Sequence, residues 1–251
     1  LYLYSNKFFN DLNIYMKPLK NWDNNTWLSS LDYIKSFNSF LLKNVKLDSN
    51  SKILDIGCGR GKILGNLSTK LYLKKKPLGI DLVNHRDKDN RISFKKVDAL
   101  IFFSKNKEKF DLILIKQTIH LFNNNNIKRL INNCKDRLNL NGFILILTID
   151  PTKNEIPSFK LMKKKLNKSL VRDKYILKML KKNHTKVFLR KFQFKVKISK
   201  IDYLKMIQNK FISTLLKMTK QEISRGINEI NQKFKNILKF NDNLVCIIIK
   251  K

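Results

Sequence analysis

The stretch ILDIGCGRGKILGNL, which runs from Ile53 to Leu67, decides the fold of this chain. Its first residues form an apolar run typical of a buried strand, and its last residues carry apolar side chains at helical spacing. Between the two lies a loop that begins at Gly57 and has the pattern G-x-G-x-G. Because glycine lets a backbone approach a ligand closely, the stretch predicts a strand, a ligand-binding loop and a helix.

Strand-like and helix-like segments alternate on the carboxyl side of this loop. The segment FDLILIKQ, 110–117, is apolar almost throughout, which indicates a sheet covered on both faces. The segment NNNNIKRLINNCKDRL, 123–138, has its apolar residues on one helical face. This alternation predicts an α/β fold with a parallel, doubly wound sheet. The other strand-like segments are 52–57, 76–83, 92–100 and 140–150.

Helical segments flank the alternating region on both sides. Apolar residues three or four positions apart predict a helix over about 26–43. We expect residues 1–48 to form an N-terminal helical lid and residues 49–251 to form the main domain. Within that domain, 151–185 interrupts the alternation and is expected to form a helical cap.

The last part of the chain returns to strand-like segments. Residues 185–199 alternate as a strand does, and residues 244–250, LVCIIIK, form an apolar run typical of a buried strand. Two helices are expected between them, over about 200–217 and 220–236. Each of these helices opens on a capping-box pattern.

The charge of the chain is extreme, at +34 from 53 Lys and Arg against 19 Asp and Glu. One interpretation is binding of nucleic acid through neutralisation of its phosphates. The other is codon bias, because an AT-rich genome favours Lys, Asn, Ile and Phe together. We favour the second, since the lysines are scattered and arginine, which RNA-reading surfaces prefer, is scarce. Either way the charge raises the affinity for anionic ligands.

The cysteines and the hydropathy of the chain indicate where the protein is located and whether it binds a metal or a membrane. The three cysteines are far apart and form no CxxC pair, which supports neither a zinc site nor a disulfide framework. We therefore expect no metal and a reducing, cytoplasmic location. No apolar run approaches the roughly 20 residues that span a bilayer, so we expect no membrane partner.

Acidic residues stand at the ends of the first three strand-like segments. Asp55 lies two residues before Gly57, and Asp81 ends the next strand-like segment. An acid in the position of Asp81 can accept hydrogen bonds from both hydroxyls of a ribose. Asp98 follows the third strand, where a carboxylate can meet an adenine amino group.

The spacing of the glycines distinguishes two classes of nucleotide cofactor. Enzymes that bind NAD(P) usually read G-x-G-x-x-G, with the pyrophosphate on the helix N-terminus. Here Gly61 comes two residues after Gly59, and the preceding strand carries the acid Asp55. That acid would repel a pyrophosphate, whereas it suits a ligand with a cationic ammonium group.

The segments ILDIGCGRG, GID, VDA, FDLILIKQTIH and LNLNGFILIL, in this order and spacing, resemble the class I S-adenosylmethionine-dependent methyltransferases. The resemblance is strong over about 50–150. It implies a Rossmann-like sheet of seven strands whose last strand is antiparallel, and LVCIIIK fits that strand. It also implies S-adenosylmethionine as the methyl donor and S-adenosylhomocysteine as the product.

The family pattern assigns a set of residues to this cofactor. The acid of the first strand and the glycine loop would line the methionine part of the cofactor. The acid that ends the second strand would hold the ribose, and the acid after the third strand would hold the adenine. The residue that follows each of these two acids would flank the adenine ring. The two residues that end the fourth strand would border the methyl group. The full set is Asp55, Gly57, Cys58, Gly59, Asp81, Leu82, Asp98, Ala99, Lys116 and Gln117.

The methyl acceptor leaves weaker marks in the sequence, because methyl transfer from a sulfonium depends mainly on positioning. Methyltransferases of this fold that act on nucleic-acid amines often carry [DNS]-P-P-[YFW] after the fourth strand, and this chain reads IKQTIHLF there. His120 falls where many small-molecule members carry a histidine. It is interpreted either as a base or substrate ligand, or as a packed histidine at the start of a helix.

Four further residues are candidates for contact with the acceptor. Tyr15 and Trp22 belong to the N-terminal segment that commonly closes the site in small-molecule members. Lys210 and Ser213 match a basic residue followed by S-x-L in trans-aconitate-type methyltransferases. We therefore expect a methyltransferase that acts on a small, anionic molecule. The alternatives are a tRNA or rRNA methyltransferase and a non-catalytic RNA-binding subunit with the same fold.

Overall fold

The computed structural model describes residues 26–182 and 186–251. Seven strands form one sheet in the order β3-β2-β1-β4-β5-β7-β6. The strands are β1 Ile53–Ile56, β2 Leu78–Asp81, β3 Ser93–Lys96, β4 Phe110–Lys116, β5 Leu138–Ile149, β6 Val187–Ser199 and β7 Ile237–Lys250.

Seven α-helices connect and cover these strands in the described part of the chain, together with short 3₁₀ turns at Trp27–Ser29, Ile119–Leu121 and Ser213–Leu215. The α-helices are α1 Leu31–Asn44, α2 Lys62–Leu71, α3 Ala99–Lys105, α4 Asn124–Asp136, α5 Lys160–Lys182, α6 Lys200–Gln208 and α7 Lys220–Lys233.

The sheet is parallel from β3 to β5, and β7 runs antiparallel to both of its neighbours, β5 and β6. The prediction of a Rossmann-like, doubly wound sheet with an antiparallel last strand is therefore confirmed. Parallel order brings the carboxyl ends of β1, β2 and β4 to one edge of the sheet. The strand order reverses between β1 and β4, and doubly wound sheets bind their ligands in the crevice at such a point.

Helices cover both faces of the sheet. Side chains alternate along β4, so that Leu112 and Leu114 belong to one buried cluster and Ile113 and Ile115 to the other. The first cluster includes side chains of α1, α2, α6 and α7, and the second includes side chains of α3, α4 and the carboxyl half of α5. The continuous apolar run in β4 therefore arises because both faces of this strand are buried.

The helical cap between β5 and β6 contains one long helix, α5. Its first turns bury Met162 with the first cluster, and its last turns bury Ile176 and Leu180 with the second cluster. A helix that shares side chains with both clusters has to cross the edge of the sheet. This course carries α5 past the carboxyl ends of β4 and β5.

One helix is shorter than the sequence predicted. The helix expected over 200–217 ends at Gln208, because Lys210 takes a left-handed backbone conformation with φ of +53°. The N–H groups of Lys210 and Phe211 then donate to the carbonyls of Ile207 and Met206, which closes the helix end. The usual sequence signal for such an end is glycine, and it is missing here.

No helix within 26–182 and 186–251 combines the length and the apolar character that crossing a membrane requires.

Candidate functional site

The loop after β1 turns sharply because Gly57, Gly59 and Gly61 have left-handed backbones, with φ of +75°, +56° and +73°. The N–H of Gly57 donates to the carbonyl of Ile80 at 2.8 Å, which ties the loop to β2. A Cβ on Gly57 would collide with the side chain of Thr118, whereas a Cβ on Gly59 would meet nothing within 4 Å. The space beside Gly59 is thus open to a ligand.

Asp81 ends β2 and holds the glycine loop in place. One of its carboxylate oxygens accepts a hydrogen bond from the N–H of Gly59, and the other accepts one from the N–H of Val83, both at 2.9 Å. Burial acts to raise the pKa of Asp81, but hydrogen bonds from His85, Val83 and Gly59 outweigh it and lower the pKa. Asp81 is therefore an anionic acceptor beside the loop at neutral pH.

Asp55 is a buried acid at the root of the same loop. Burial raises its pKa to about 7, the Lys116 charge opposes this rise, and the Asp81 charge adds to it. A cationic ligand near Asp55 would stabilise the ionised carboxylate.

Lys116 ends β4, on the sheet face that α1 covers. Its ammonium donates to the side-chain oxygen of Gln117 at 3.1 Å. The same ammonium lies 5.1 Å from the ring centre of Tyr33 and 5.6 Å from that of Phe37, within the range of cation–π attraction. Two aromatic rings of α1 therefore cover the cation in the crevice between β1 and β4.

Asp242 is a buried acid of β7 that the sequence analysis did not single out. The indole N–H of Trp27 donates to its carboxylate at 3.1 Å. Burial raises the pKa of Asp242, and the bond from Trp27 and then the charge of Lys116 oppose the rise. The sequence signal that could have identified Asp242 is its charge, two residues before the apolar run 244–250. The residue joins the segment before α1 to β7.

The residues expected around the adenine lie at the ends of β2 and β3. Asp98 is the N-cap of α3, and one of its oxygens accepts from the N–H groups of Leu100 and Ile101. Leu82 is 49% exposed next to Asp81, and Ala99 is buried. Parallel pairing of β2 with β3 places these residues at one edge of the sheet.

Two other predicted residues shape the loops around the crevice. The thiol of Cys58 lies so close to the backbone of Gly79 that a Cβ on that glycine would meet it, and burial raises the pKa of the thiol. Gln117 has a left-handed backbone with φ of +52°, and its N–H donates to the carbonyl of Leu147 at 2.8 Å. Gln117 thus makes the last bond to β5, and its left-handed backbone ends β4.

His120 lies in the 3₁₀ turn that follows β4. Its Nε2 atom is 3.4 Å from the hydroxyl oxygen of Ser213, and the tautomer of the ring decides which of the two donates. Burial first and the Arg172 charge second lower the pKa of His120 to about 4, so the imidazole is neutral at neutral pH. Two residues that the sequence analysis proposed separately, His120 and Ser213, are therefore in contact.

The remaining acceptor candidates have different surroundings. The ammonium of Lys210 donates to the carbonyls of Leu216 and Met218 at 3.3 and 2.6 Å, so it closes its own loop. Its predicted contact with the acceptor stays a prediction. Tyr15 and Trp22 lie outside the described residues.

The residues at this edge of the sheet fit S-adenosylmethionine in four respects. Asp55 is a buried carboxylate that suits the ammonium of the methionine part. The open space beside Gly59 lets the same part of the cofactor lie against the backbone. Asp81 is an ionised acceptor suited to hydroxyl groups, and the exposed side chain of Leu82 offers an apolar surface for an aromatic base.

A family model described as "Methyltransferase domain" matches residues 31–196 of the chain. The match begins at α1 and extends into β6, so it includes the glycine loop, both acids of β1 and β2, and α5. A comparison with curated proteins finds no match.

Solved structures with the same fold include a protein of Bacillus halodurans C-125 described as a methyltransferase, with a TM-score of 0.54 and 18% identity over 86% of this chain and 99% of that one. An S-adenosylmethionine-dependent methyltransferase of Archaeoglobus fulgidus has a TM-score of 0.52 and 20% identity, over 88% and 95% of the two chains. The plantazolicin methyltransferase BpumL was solved with S-adenosylhomocysteine. It has a TM-score of 0.51 and 21% identity, and the match covers 92% of this chain and 88% of BpumL. At these identities the likeness is one of fold.

Proposed function

This chain belongs to the S-adenosylmethionine-dependent methyltransferases, and we propose that its methyl acceptor is a small, anionic molecule. Bound in the crevice, the cofactor supplies an electrophilic methyl group on a sulfonium. The protein has to bind the cofactor, orient the acceptor and take up any proton that the acceptor loses.

The cofactor is held by the residues around the glycine loop. Asp55 pairs with the ammonium of its methionine part, and the open side of Gly59 lets that part approach the backbone. Asp81 accepts the ribose hydroxyls, while Asp98 and Leu82 contact the adenine. In support, these side chains lie at the carboxyl ends of three adjacent parallel strands.

The proposal for a small acceptor rests on one observation, which is that helices α1 and α5 cover the segment 116–122 from two sides. On one side, the rings of Tyr33 and Phe37 lie over the ammonium of Lys116. On the other side, Arg172 of α5 binds the backbone carbonyl of His120. A site enclosed by two helices suits a small molecule better than a folded RNA, which needs an open face.

The charges near the segment 116–122 favour an anionic acceptor. Lys116 and Arg172 bring positive charge from the two covering sides, and the whole chain carries +34. In a half-buried crevice such charges attract an anion more strongly than at an open surface.

His120 is proposed as the base for an acceptor that loses a proton. Its imidazole is neutral at pH 7 because its pKa is about 4, and Ser213 stands beside its Nε2 atom to position an acceptor group. We also propose a cytoplasmic location, since the three cysteines are free.

A screen with labelled S-adenosylmethionine tests the proposal. Thiols, amines, hydroxy acids, carboxylates and bulk RNA are offered separately, and label in each is counted. We expect label in a small anionic compound and none in RNA. Label in RNA alone would contradict the proposal.

RNA is the second candidate acceptor, on the basis of one observation. Helix α5 exposes a series of lysines beside the covered site, which could bind a phosphate backbone. These lysines are Lys160, Lys163, Lys164, Lys168, Lys174, Lys178, Lys181 and Lys182.

A further inference from the structure

We propose that Arg172, in the middle of α5, is a positioning residue that holds His120 at the site by binding the backbone of its turn. The inference rests on the role of His120 proposed above. It adds a residue that no sequence pattern indicated, and it gives the helical cap a part in the reaction beyond covering the site.

Arg172 makes two hydrogen bonds to the backbone of the turn. One terminal nitrogen of the Arg172 guanidinium donates to the carbonyl of His120 at 2.7 Å, and the other donates to the carbonyl of Phe122. The planar fork of arginine suits two acceptors at a fixed separation, which the single ammonium of lysine cannot bind in the same way. The two bonds therefore fix both the position and the direction of the turn.

Besides Arg172, the turn is held by the buried side chain of Ile119 and by the contact of His120 with Ser213, but few backbone bonds fix it. Ile119–Leu121 is a single 3₁₀ turn, and its N-cap, Thr118, makes no side-chain capping bond. Its backbone bonds run from Leu121 to Thr118 and from Phe122 to Ile119, both within the turn. Arg172 is thus a contact that ties the turn to a distant element.

Helix α5 is well placed to hold Arg172 still. Asp173, the next residue, is buried and hydrogen-bonded to Thr148 near the end of β5. Leu170 and Ile176 are buried on either side of Arg172 along the helix. The guanidinium therefore projects from a part of the helix that is packed and bonded to the sheet.

The charge of Arg172 acts on the imidazole as well as on the backbone. A cation near an imidazole disfavours the protonated ring, and the pKa of His120 is lowered by burial and by Arg172. Ser213, whose hydroxyl lies beside the ring, is uncharged, and the ammonium of Lys116 lies over the rings of α1. The charge of Arg172 thus adds to burial in keeping the proposed base free of a proton.

Nuclear magnetic resonance of the histidine rings tests this inference directly, because the full chain has only three histidines. The H120Q variant assigns the His120 signals, and the remaining two histidines serve as internal references. In R172M, we expect the pKa of His120 to rise by about one unit or more, since both the charge and part of the burial are lost. In R172K, which keeps the charge and loses the fork, we expect a smaller rise and broader ring signals.

Two controls separate positioning from a general loss of structure. R129M removes an exposed arginine from α4 and should leave the His120 titration unchanged. Calorimetry with S-adenosylhomocysteine should give the same affinity for R172M as for the unaltered chain, because Arg172 is not among the residues assigned to the cofactor. A loss of that affinity in R172M would show a structural role instead of a positioning one.

The experiment separates this inference from the proposed function. If R172M leaves the His120 titration unchanged, the positioning role of Arg172 is wrong, whatever acceptor the screen finds. If R172M shifts that titration but H120Q transfers label at the unaltered rate, Arg172 still holds the turn and His120 is not the base.

Discussion

At Asp81, one side chain both shapes the loop and is proposed to bind the ligand. Its carboxylate already binds the N–H groups of Gly59 and Val83, and it is the residue proposed to accept the ribose hydroxyls. Any change at this position therefore alters the loop and the ligand contact together.

We expect D81N to weaken binding of S-adenosylhomocysteine by about 100-fold. The amide nitrogen cannot accept the hydrogen bonds that the carboxylate accepts, and hydrogen bonds to a charged group contribute about 1.5–3 kcal/mol each. Calorimetry measures the loss, and D136N, at an exposed acid of α4, is the control. Unchanged affinity in D81N would remove Asp81 from the cofactor site.

Gly57 and Gly59 have similar backbones but different surroundings, which gives a paired test. We expect G57A to lose about 2 kcal/mol or more of unfolding free energy, because strain and a collision with Thr118 add together. We expect G59A to lose only about 1 kcal/mol, from strain alone, and yet to bind S-adenosylhomocysteine poorly. Denaturant unfolding and calorimetry measure the two effects. Normal binding by G59A would show that the ligand does not use this space.

The raised pKa of Asp55 makes cofactor binding depend on pH. Because a cationic ligand favours the ionised carboxylate and the pKa is about 7, affinity for S-adenosylhomocysteine should rise with pH up to about 7 and then level off. Below pH 7 it should fall by up to about tenfold per pH unit. Calorimetry across pH 5.5–8.5 measures this dependence, and D55N should abolish it. A flat profile in the unaltered chain would argue against the pairing.

At the scale of elements, the segment before α1 is joined to β7 by the bond between Trp27 and Asp242. W27F keeps an aromatic ring against Phe211 and Phe240 but removes the indole donor from a buried carboxylate, which keeps Tyr33 and Lys116 nearby. We expect a loss of about 1–3 kcal/mol in unfolding free energy. A double-mutant cycle with D242N isolates the bond, and a coupling energy near zero would show that the two residues act independently.

The elements that the sequence predicted well are those with local signals. The strand, glycine loop and helix of 53–67 follow from apolar spacing and glycine alone, and β4 follows from its continuous apolar run. The end of α6 was misplaced because Lys210 takes a conformation that usually indicates glycine. Local patterns thus predict an element better than they predict where it stops.

The contacts that complete the site could not be read from the sequence, because they join distant residues. Arg172 binds a carbonyl 52 residues away, and Trp27 binds a carboxylate 215 residues away. Neither pair leaves a local pattern in the sequence, because the two partners are not neighbours along the chain. Such pairs become visible only when the topology brings their elements together.

At the scale of the whole molecule, the charge of +34 should cause binding that has no part in the reaction. We expect the protein to bind an RNA oligonucleotide at 50 mM salt and to lose at least about 100-fold in affinity by 200 mM, without transferring label to it. Fluorescence anisotropy and label counting on the same samples measure both. Binding that persists at 200 mM salt together with labelled RNA would favour the RNA alternative.

The place of β7 in the sheet also determines when the sheet can be completed during synthesis. Within the sheet, β6 pairs with β7 and with no other described strand, and β7 separates it from β5. Until residues 237–250 have left the ribosome, β6 therefore remains a strand without a partner, and the carboxylate that Trp27 binds has not yet been added. The glycine loop is synthesised before β7, and the sheet beside it is complete only when β7 inserts between β5 and β6, two strands that were made before it.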